Sequence, residues 1–446
     1  MSDRKKLGVW SGVGLTLADM VGTGVLTTAG FMALELSPRL ILLDWLVGGI
    51  VALAGAVAYG ALARRIPRSG GEYRYLSTML HPVLGYLAGW TSLLVGFSVP
   101  VALAALAAGA FGETLLPWID GQILAATVIA LVTAAHALDL DTSKRVQDSL
   151  AAIKSILIAA FILIGLVAGT NSLPPETAEA ATGANAGFPV TAFFTSLIYI
   201  TFCYSGWNAA IYASEEFERP RRDVPRSMLI GCSLVVVVYL LVNWVFVTNL
   251  PQADMIAWIQ GDTDRITLAH LVTRNLLGPD AASVMSVVVI VALLSAISAM
   301  TLIGPRVYAA MAGDGFLPPA LKVRDGHPPT GSVLLQSGLA VTLVFLSEFR
   351  EMLTNVGSIL AIVSAATVLS LFRTSRWNDE PPSTAARFGA VVYAGMSAWM
   401  VYFAVQSSNK VALAGFEVPT LILWMMGIVV AASVGYYTTR RLRITN

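Results

Sequence analysis

Stretches of apolar residues recur along the chain, each close to the roughly 20 residues that carry a helix across a 30 Å bilayer core. They fall at 8–33, 40–63, 83–111, 118–138, 149–169, 188–214, 226–248, 281–310, 331–347, 352–372, 387–406 and 418–438. The run MLIGCSLVVVVYLLVNWVFV at 228–247 holds no charge at all. These are predicted spans 1 to 12, and an even number puts both termini on one side. Three connections have a pattern of their own. The stretch 64–78 carries charge and a Pro-Arg-Ser-Gly-Gly turn and reads as an amphipathic element at the membrane surface. The stretch 251–278 reads as two short external helices, and 170–185 as a Pro/Ala/Glu-rich exposed loop.

Composition extends this to the whole chain. Of 446 residues, 56% are hydrophobic and 12% charged, about half the charge of a soluble domain. Mean hydropathy is +0.72, so the apolar excess is not confined to one anchor. A net charge of +1 offers nothing to a nucleic acid. Cys203 and Cys232 both lie in apolar segments without ligand spacing, and the four histidines are scattered, so no disulfide framework, metal or cofactor is implied. The first apolar segment, with no small-residue cleavage site after it, reads as a retained span. If the N-terminus is cytoplasmic, 22 of the 28 Lys and Arg fall on the cytoplasmic side and five on the other, with Lys154 inside a span. That asymmetry predicts cytoplasmic N- and C-termini.

Two spans carry helix-weakening residues at mid-membrane. Span 1 contains ADMVGTGVLTTAG (18–30), with Gly22 and Gly24 flanking Thr23; span 6 contains FCYSGWNAA (202–210), with Ser205, Gly206 and Asn208. Glycine lowers the penalty for leaving helical geometry, and non-helical backbone at depth must line a cavity or be buried in protein. Paired interruptions five helices apart point to a transporter binding site. Unwound backbone there offers N–H groups to a carboxylate and carbonyls to an ammonium, and a zwitterion presents both. Close helix packing is the other use of such glycines. Gly-x-Gly is no dinucleotide loop here, because position 27 is Thr and no βαβ unit fits. An intramembrane enzyme would need a nucleophile–base pair or metal cluster at depth, whereas the deep polar residues are Asp19, Lys154 and hydroxyls.

Four segments together resemble the amino acid–polyamine–organocation superfamily of transporters, across nearly the whole chain. They are VGTGVLTTAG (21–30), IPRSGGEYRYL (66–76), YSGWNAAIYASEEFERPRRDVPRSM (204–228) and GPRVYAAMAGDGFLPPAL (304–321). The Gly-Trp-Asn of span 6 resembles the L-type neutral amino acid branch. The resemblance implies an all-α membrane protein of twelve transmembrane helices. It implies two inverted five-helix repeats at 1–170 and 187–372, discontinuous helices 1 and 6, and two additional helices at 387–439. It also implies secondary transport of amino acids, as an exchanger or a proton-coupled permease. By position, the N–H groups of Gly22, Thr23 and Gly24 would hold a substrate carboxylate. Carbonyls near Met20, Phe202 and Ser205 would take its ammonium, Tyr204 and Trp207 would shape or gate the pocket, and Cys203 would face it. The chain departs from the family in two places. Many relatives carry a glutamate near the end of span 2, where this sequence has Ala61. L-type members that pair with a glycoprotein carry a cysteine between spans 3 and 4; the segment 111–121 has none, which implies no disulfide-linked subunit.

Buried charges add the last expectations. A lysine at membrane depth costs roughly 2.5–3.5 kcal/mol on insertion scales, so Lys154 should snorkel to the cytoplasmic face or meet a partner. In relatives that do not use sodium, a lysine on this span resembles a built-in replacement for bound Na⁺. Its ammonium would bridge the span 1 carbonyls of Ala18 and Val21 and span 8 hydroxyls, for which Ser295 and Ser298 are the candidates. Asp19 could pair with Lys154, carry a proton, attract a cationic substrate, or be satisfied by the broken helix and water. Glu215 and Glu216 end span 6 among arginines and look like part of a cytoplasmic charge network. Glu35 and Asp44 are expected near the external face with no special role. These features favour a small or medium neutral L-amino acid. A polyamine carrier of the same fold and a membrane sensor that binds without transport remain the alternatives.

Overall fold

The computed structural model describes residues 7–22, 24–138, 140–174, 188–260, 268–323, 327–346, 349–373, 377, 381–407, 410–413 and 416–444. Thr23 and most of the predicted 170–185 loop lie outside the described residues. The fold is helical because a chain in lipid must satisfy its backbone within each segment. Span 1 is two helices, α1 (Val9–Met20) and α2 (Gly24–Met32). Then come α3 (Pro38–Arg65), a short α4 (Gly71–Met79), and a third span made of α5 (Pro82–Thr91) and α6 (Val99–Leu115). A π-helical stretch, Ser92–Ser98, joins the last two, with the Ser98 hydroxyl donating to the Leu93 carbonyl at 2.6 Å. Helices α7 (Gly121–Leu138) and α8 (Leu140–Ala168) follow.

Span 6 is also divided, into α9 (Val190–Tyr204) and the single turn α10 (Ala209–Tyr212). After it come α11 (Pro220–Asn249), two short helices where two were expected, α12 (Gln252–Gln260) and α13 (Leu268–Leu277), and the long α14 (Pro279–Gly313). Helices α15 (Thr330–Leu346), α16 (Phe349–Leu369), α17 (Thr384–Ser407) and α18 (Thr420–Ile444) complete the bundle. Seven helices among the described residues are long and apolar enough to cross a bilayer, and four shorter apolar ones accompany them. Many of these helices expose large apolar side chains, such as Leu163, Val167, Phe388 and Val430, as a lipid-facing surface does. One element was not expected: between α17 and α18 the chain forms an antiparallel ribbon, Lys410–Leu413 with Phe416–Pro419.

Helix α3 packs against α11, α17 and α9, and α1 against α11 and α14. Small residues set these separations: Gly48 lies against Ile200 and Tyr204 of α9, and Gly49 against Val236 of α11. At the chain's start, the Leu7 N–H donates to the Glu216 carbonyl (2.8 Å) and the Glu218 N–H to the Leu7 carbonyl (3.0 Å). The entry to span 1 is therefore stitched to the exit of span 6. Glu216 also pairs with Arg306 at 2.5 Å. Asp44 departs from expectation. It is 0% exposed inside α3, with neither carboxylate oxygen hydrogen-bonded, because the helix turns that face toward its neighbours rather than toward water.

Candidate functional site

The two interruptions face each other, and the local sequence explains each. α1 ends where Val21 becomes extended (φ −81°, ψ 97°), ahead of Gly22 and Gly24. Gly24 begins α2 in close contact with Cys203, where a β-carbon would overlap the sulfur; that approach lets α2 lie flush on α9. The Cys203 sulfur also meets the Thr28 hydroxyl at 3.2 Å. α9 ends as Ser205 turns to ψ 151° and Gly206 to φ +97°. Only glycine adopts that conformation readily, and a β-carbon there would sit 2.6 Å from Asp19 Oδ2. Gly206 is thus fixed both by its own backbone and by the end of α1.

A cavity opens beside these ends. Asp19, Phe202, Ser205, Gly206, Trp207 and Asn208 line it from the two interruptions; Phe97 and other residues of the π-helical stretch, Met300 of α14, Leu360 of α16 and Tyr393 of α17 complete the wall. Of the residues singled out in the sequence, Phe202, Ser205, Trp207 and Asp19 stand on this wall. Met20, Gly22, Gly24, Cys203 and Tyr204 lie behind it. Two of the carbonyls expected to meet an ammonium already have protein partners. The Phe202 carbonyl accepts from the Ser205 hydroxyl (2.6 Å) and N–H (3.0 Å), and the Met20 carbonyl accepts from the Tyr239 hydroxyl (2.5 Å). Tyr204 donates to the Trp45 carbonyl at 3.1 Å and packs against the rings of Trp45 and Tyr239.

Lys154 is 2% exposed and does not snorkel. Its ammonium donates to the carbonyls of Ala18 and Val21, each at 2.7 Å. The last carbonyls of a helix lack intrahelical partners and carry the negative end of its dipole, so a cation is well placed there. The two candidate serines are not part of this contact. Ser298 lies 2.7 Å from His136 Nε2, and the buried Ser295 hydroxyl makes no hydrogen bond. Nor do Lys154 and Asp19 form an ion pair within 4.0 Å. Asp19 is 7% exposed, with Oδ1 lacking a hydrogen-bond partner.

Two residues at the site escaped the sequence. Tyr239, inside the uncharged run of α11, donates to both the Met20 carbonyl (2.5 Å) and the Cys203 carbonyl (2.9 Å). Glu72, in the connection between α3 and α5, is 4% exposed and reaches the cavity wall. Its carboxylate accepts from Tyr59 Oη (3.0 Å), Asn208 Nδ2 (2.6 Å) and Tyr212 Oη (2.8 Å). Burial pushes its carboxyl above the ordinary glutamate value, and these three hydrogen bonds offset part of that rise. Among the described residues, no three His, Cys, Asp or Glu gather as a metal would require.

Long apolar helices, with two spans interrupted beside a cavity of mixed polar and apolar lining, define a multi-pass membrane protein. A family model described as "Amino acid permease" matches residues 7–435, and the chain belongs to that family, whose members are transporters rather than enzymes. It is 26% identical over 432 residues to the mouse (Mus musculus) large neutral amino acids transporter small subunit 2, covering 93% of this chain and 79% of the relative. It is 25% identical over 352 residues to a serine/threonine exchanger of Bacillus subtilis, covering 77% of each. A third relative, the mouse b(0,+)-type amino acid transporter 1, is 30% identical over 262 residues, 57% of this chain and 53% of that protein. The chain therefore matches about half the length of this third relative.

Proposed function

We propose that this chain carries small or medium neutral L-amino acids across the cell membrane by alternating access, independently of sodium, as an exchanger or a proton-coupled permease. In this reading the seven long helices, the four shorter apolar ones and the divided span 1 make twelve spans. Two inverted repeats, 1–170 and 187–372, enclose the site, with two further helices at 387–439, both termini in the cytoplasm and no disulfide-linked subunit. The N–H groups of Gly22, Thr23 and Gly24 receive the carboxylate, and carbonyls near Met20, Phe202 and Ser205 receive the ammonium. Trp207, backed by Tyr204 and Cys203, bounds the side chain. The observation that carries the reading is the Lys154 ammonium on the carbonyls of Ala18 and Val21. A fixed cation at the end of α1 does there what a bound sodium ion would do, and does it permanently. The names of two relatives, the large neutral amino acids transporter subunit and the serine/threonine exchanger, support the neutral class, and the second supports exchange.

A second reading has one observation in its favour. Two carboxylates, Asp19 and Glu72, stand on the cavity wall, and no described Lys, Arg or His does. That arrangement suits a substrate with a second ammonium, such as a diamine. Uptake of labelled L-threonine into proteoliposomes separates the two. The neutral reading expects competition by unlabelled neutral amino acids, none by putrescine, and unchanged uptake when sodium is replaced by choline. Asp19→Asn should then alter L-threonine uptake by less than about threefold, because the amide keeps the shape and one acceptor oxygen. Competition by putrescine that disappears in Asp19→Asn would replace the neutral reading with the amine one. Dependence on internal L-threonine marks exchange, and uptake driven by an inward proton gradient alone marks symport.

A further inference from the structure

Glu72 has the surroundings of a mechanical part. It stands in the first turn of α4, directly after Gly70 and Gly71, whose φ values of +117° and +55° fold the chain back beneath the bundle. The fold-back is tight: Gly71 packs on the Tyr212 ring so closely that a β-carbon would overlap it. A carboxylate in this position has left water, and it meets no cation within 4.0 Å among the described residues. Three neutral donors hold it instead. Tyr59 Oη and Asn208 Nδ2 share Oε1, and Tyr212 Oη takes Oε2. The last two donors also meet each other at 3.1 Å.

The origin of these donors matters more than their number. Asn208 closes the non-helical stretch of span 6, and Tyr212 ends the single turn that follows it. The backbone bonds of that stretch are local turn-type ones, Ser205 N–H to the Phe202 carbonyl, Ala209 N–H to the Gly206 carbonyl and Ile211 N–H to the Asn208 carbonyl, so its position against the rest of the bundle depends on side-chain tethers. The Ser205 hydroxyl bonds locally to Phe202. Asn208 instead reaches out of the segment to Glu72. Behind Glu72 stands a firm support, because the next residues of α4 grip the end of α14: Tyr73 Oη donates to Asp314 at 2.5 Å, and Arg74 pairs with it at 2.7 Å. One carboxylate therefore connects a pinned surface helix, span 2 through Tyr59, and the loosest backbone of span 6, all at one end of the cavity.

We infer that Glu72 is a positioning residue, a latch that holds the interrupted part of span 6 across the α4 end of the cavity and closes that end until the transport cycle releases it. The inference rests on the transport reading above. When Asn208 and Tyr212 are fastened, the α4 end is shut; when they let go, the stretch swings and the substrate has a path out on that side. Glu72 acts through Asn208 and Tyr212 and touches no substrate group itself.

Side-specific labelling tests the latch. Leu360, on the cavity wall, is changed to cysteine as a reporter in the full-length protein, and a membrane-impermeant maleimide is applied from either face of proteoliposomes. Cys203 and Cys232 are both buried, and the chain without the reporter gives the background. Glu72→Ala should raise labelling from the α4 face about fivefold or more, as a latched population becomes an open one, with labelling from the other face unchanged or lower. Glu72→Gln, which keeps the side chain's size and one acceptor, should fall between Glu72→Ala and the native chain, and Glu72→Asp should recover most of the closure. L-threonine exchange should fall in Glu72→Ala while its equilibrium binding changes by less than about threefold, because the residue positions a gate and does not hold the substrate. If Glu72→Ala does not fold, Glu72→Gln carries the same comparison. Unchanged labelling from the α4 face in a folded variant overturns the latch, as does an equal loss of binding and exchange. If the native chain moves no L-threonine, the transport reading fails, while the labelling still reports whether Glu72 closes the cavity.

Discussion

Lys154→Ala is expected to abolish amino acid flux while leaving a folded protein. The ammonium it removes makes two charge-assisted hydrogen bonds, to the carbonyls of Ala18 and Val21 at 2.7 Å each. Such bonds contribute about 1.5–3 kcal/mol apiece, so their loss costs α1 about 3–6 kcal/mol of end stabilisation. If that stabilisation sets how readily span 1 adopts its substrate-binding form, flux falls on the order of 10²-fold or more. The same residue explains why a lysine is tolerated at this depth, since a cation at the carbonyl end of a helix meets its dipole favourably. Lys154→Arg should keep a few per cent of flux, because the guanidinium retains the charge but is a planar fork too wide for the same seat. The measurement is L-threonine exchange in proteoliposomes, alongside a thermal melt that reports folding. A melt within a few degrees of the native chain together with native exchange would end the idea that Lys154 links occupancy to helix movement.

What could be read from the residues alone was whatever depends on local chemistry. Gly22, Gly24, Ser205 and Gly206 announced the two interruptions because they cluster at mid-span in two spans five helices apart, where close packing alone does not call for a matching pair. Lys154 announced itself by its charge, and the carbonyls of Ala18 and Val21 that the resemblance offered it are its partners; the hydroxyls expected from Ser295 and Ser298 are elsewhere, since Ser298 faces His136. Glu72 was invisible for a different reason. In sequence it belongs to a charged connection beside Arg68 and Arg74 and looks solvated; only the fold-back at Gly70–Gly71 carries it into the bundle. Asp44 misleads in the same way, since one helical turn decides whether a carboxylate near a span's end meets water or protein. The ribbon of Lys410–Leu413 with Phe416–Pro419 lay hidden in a connection between spans too short to show a strand pattern. Tyr239 did leave a trace. A tyrosine and an asparagine four residues apart, Tyr239 and Asn243, interrupt an otherwise apolar run, and polar groups at that depth are kept for a partner.

Tyr239→Phe should be the mildest chemical change with one of the largest effects. The ring stays, and with it the edge contact to Trp45 (5.3 Å) and the tilted contact to Tyr204 (5.0 Å between ring centres). Only the hydroxyl goes, and with it the bonds to the Met20 carbonyl at the end of α1 and the Cys203 carbonyl near the end of α9. That one oxygen ties both interrupted helices together behind the cavity. Each buried carbonyl left without it costs about 1–3 kcal/mol, so L-threonine affinity should weaken roughly 30-fold or more, with the melting temperature lowered by only a few degrees. Met20 lies between Ala18 and Val21, so Tyr239 and Lys154 act on the same turn of α1. Their effects should then be coupled. The Tyr239→Phe, Lys154→Ala double variant should lose less binding free energy than the sum of the two single losses, by about 0.5–3 kcal/mol. Isothermal titration of L-threonine against the four proteins measures this. Strict additivity would mean that the two residues brace separate features. Coupling would mean that the end of α1 is a single device, held from span 5 by a charge and from span 7 by a hydroxyl.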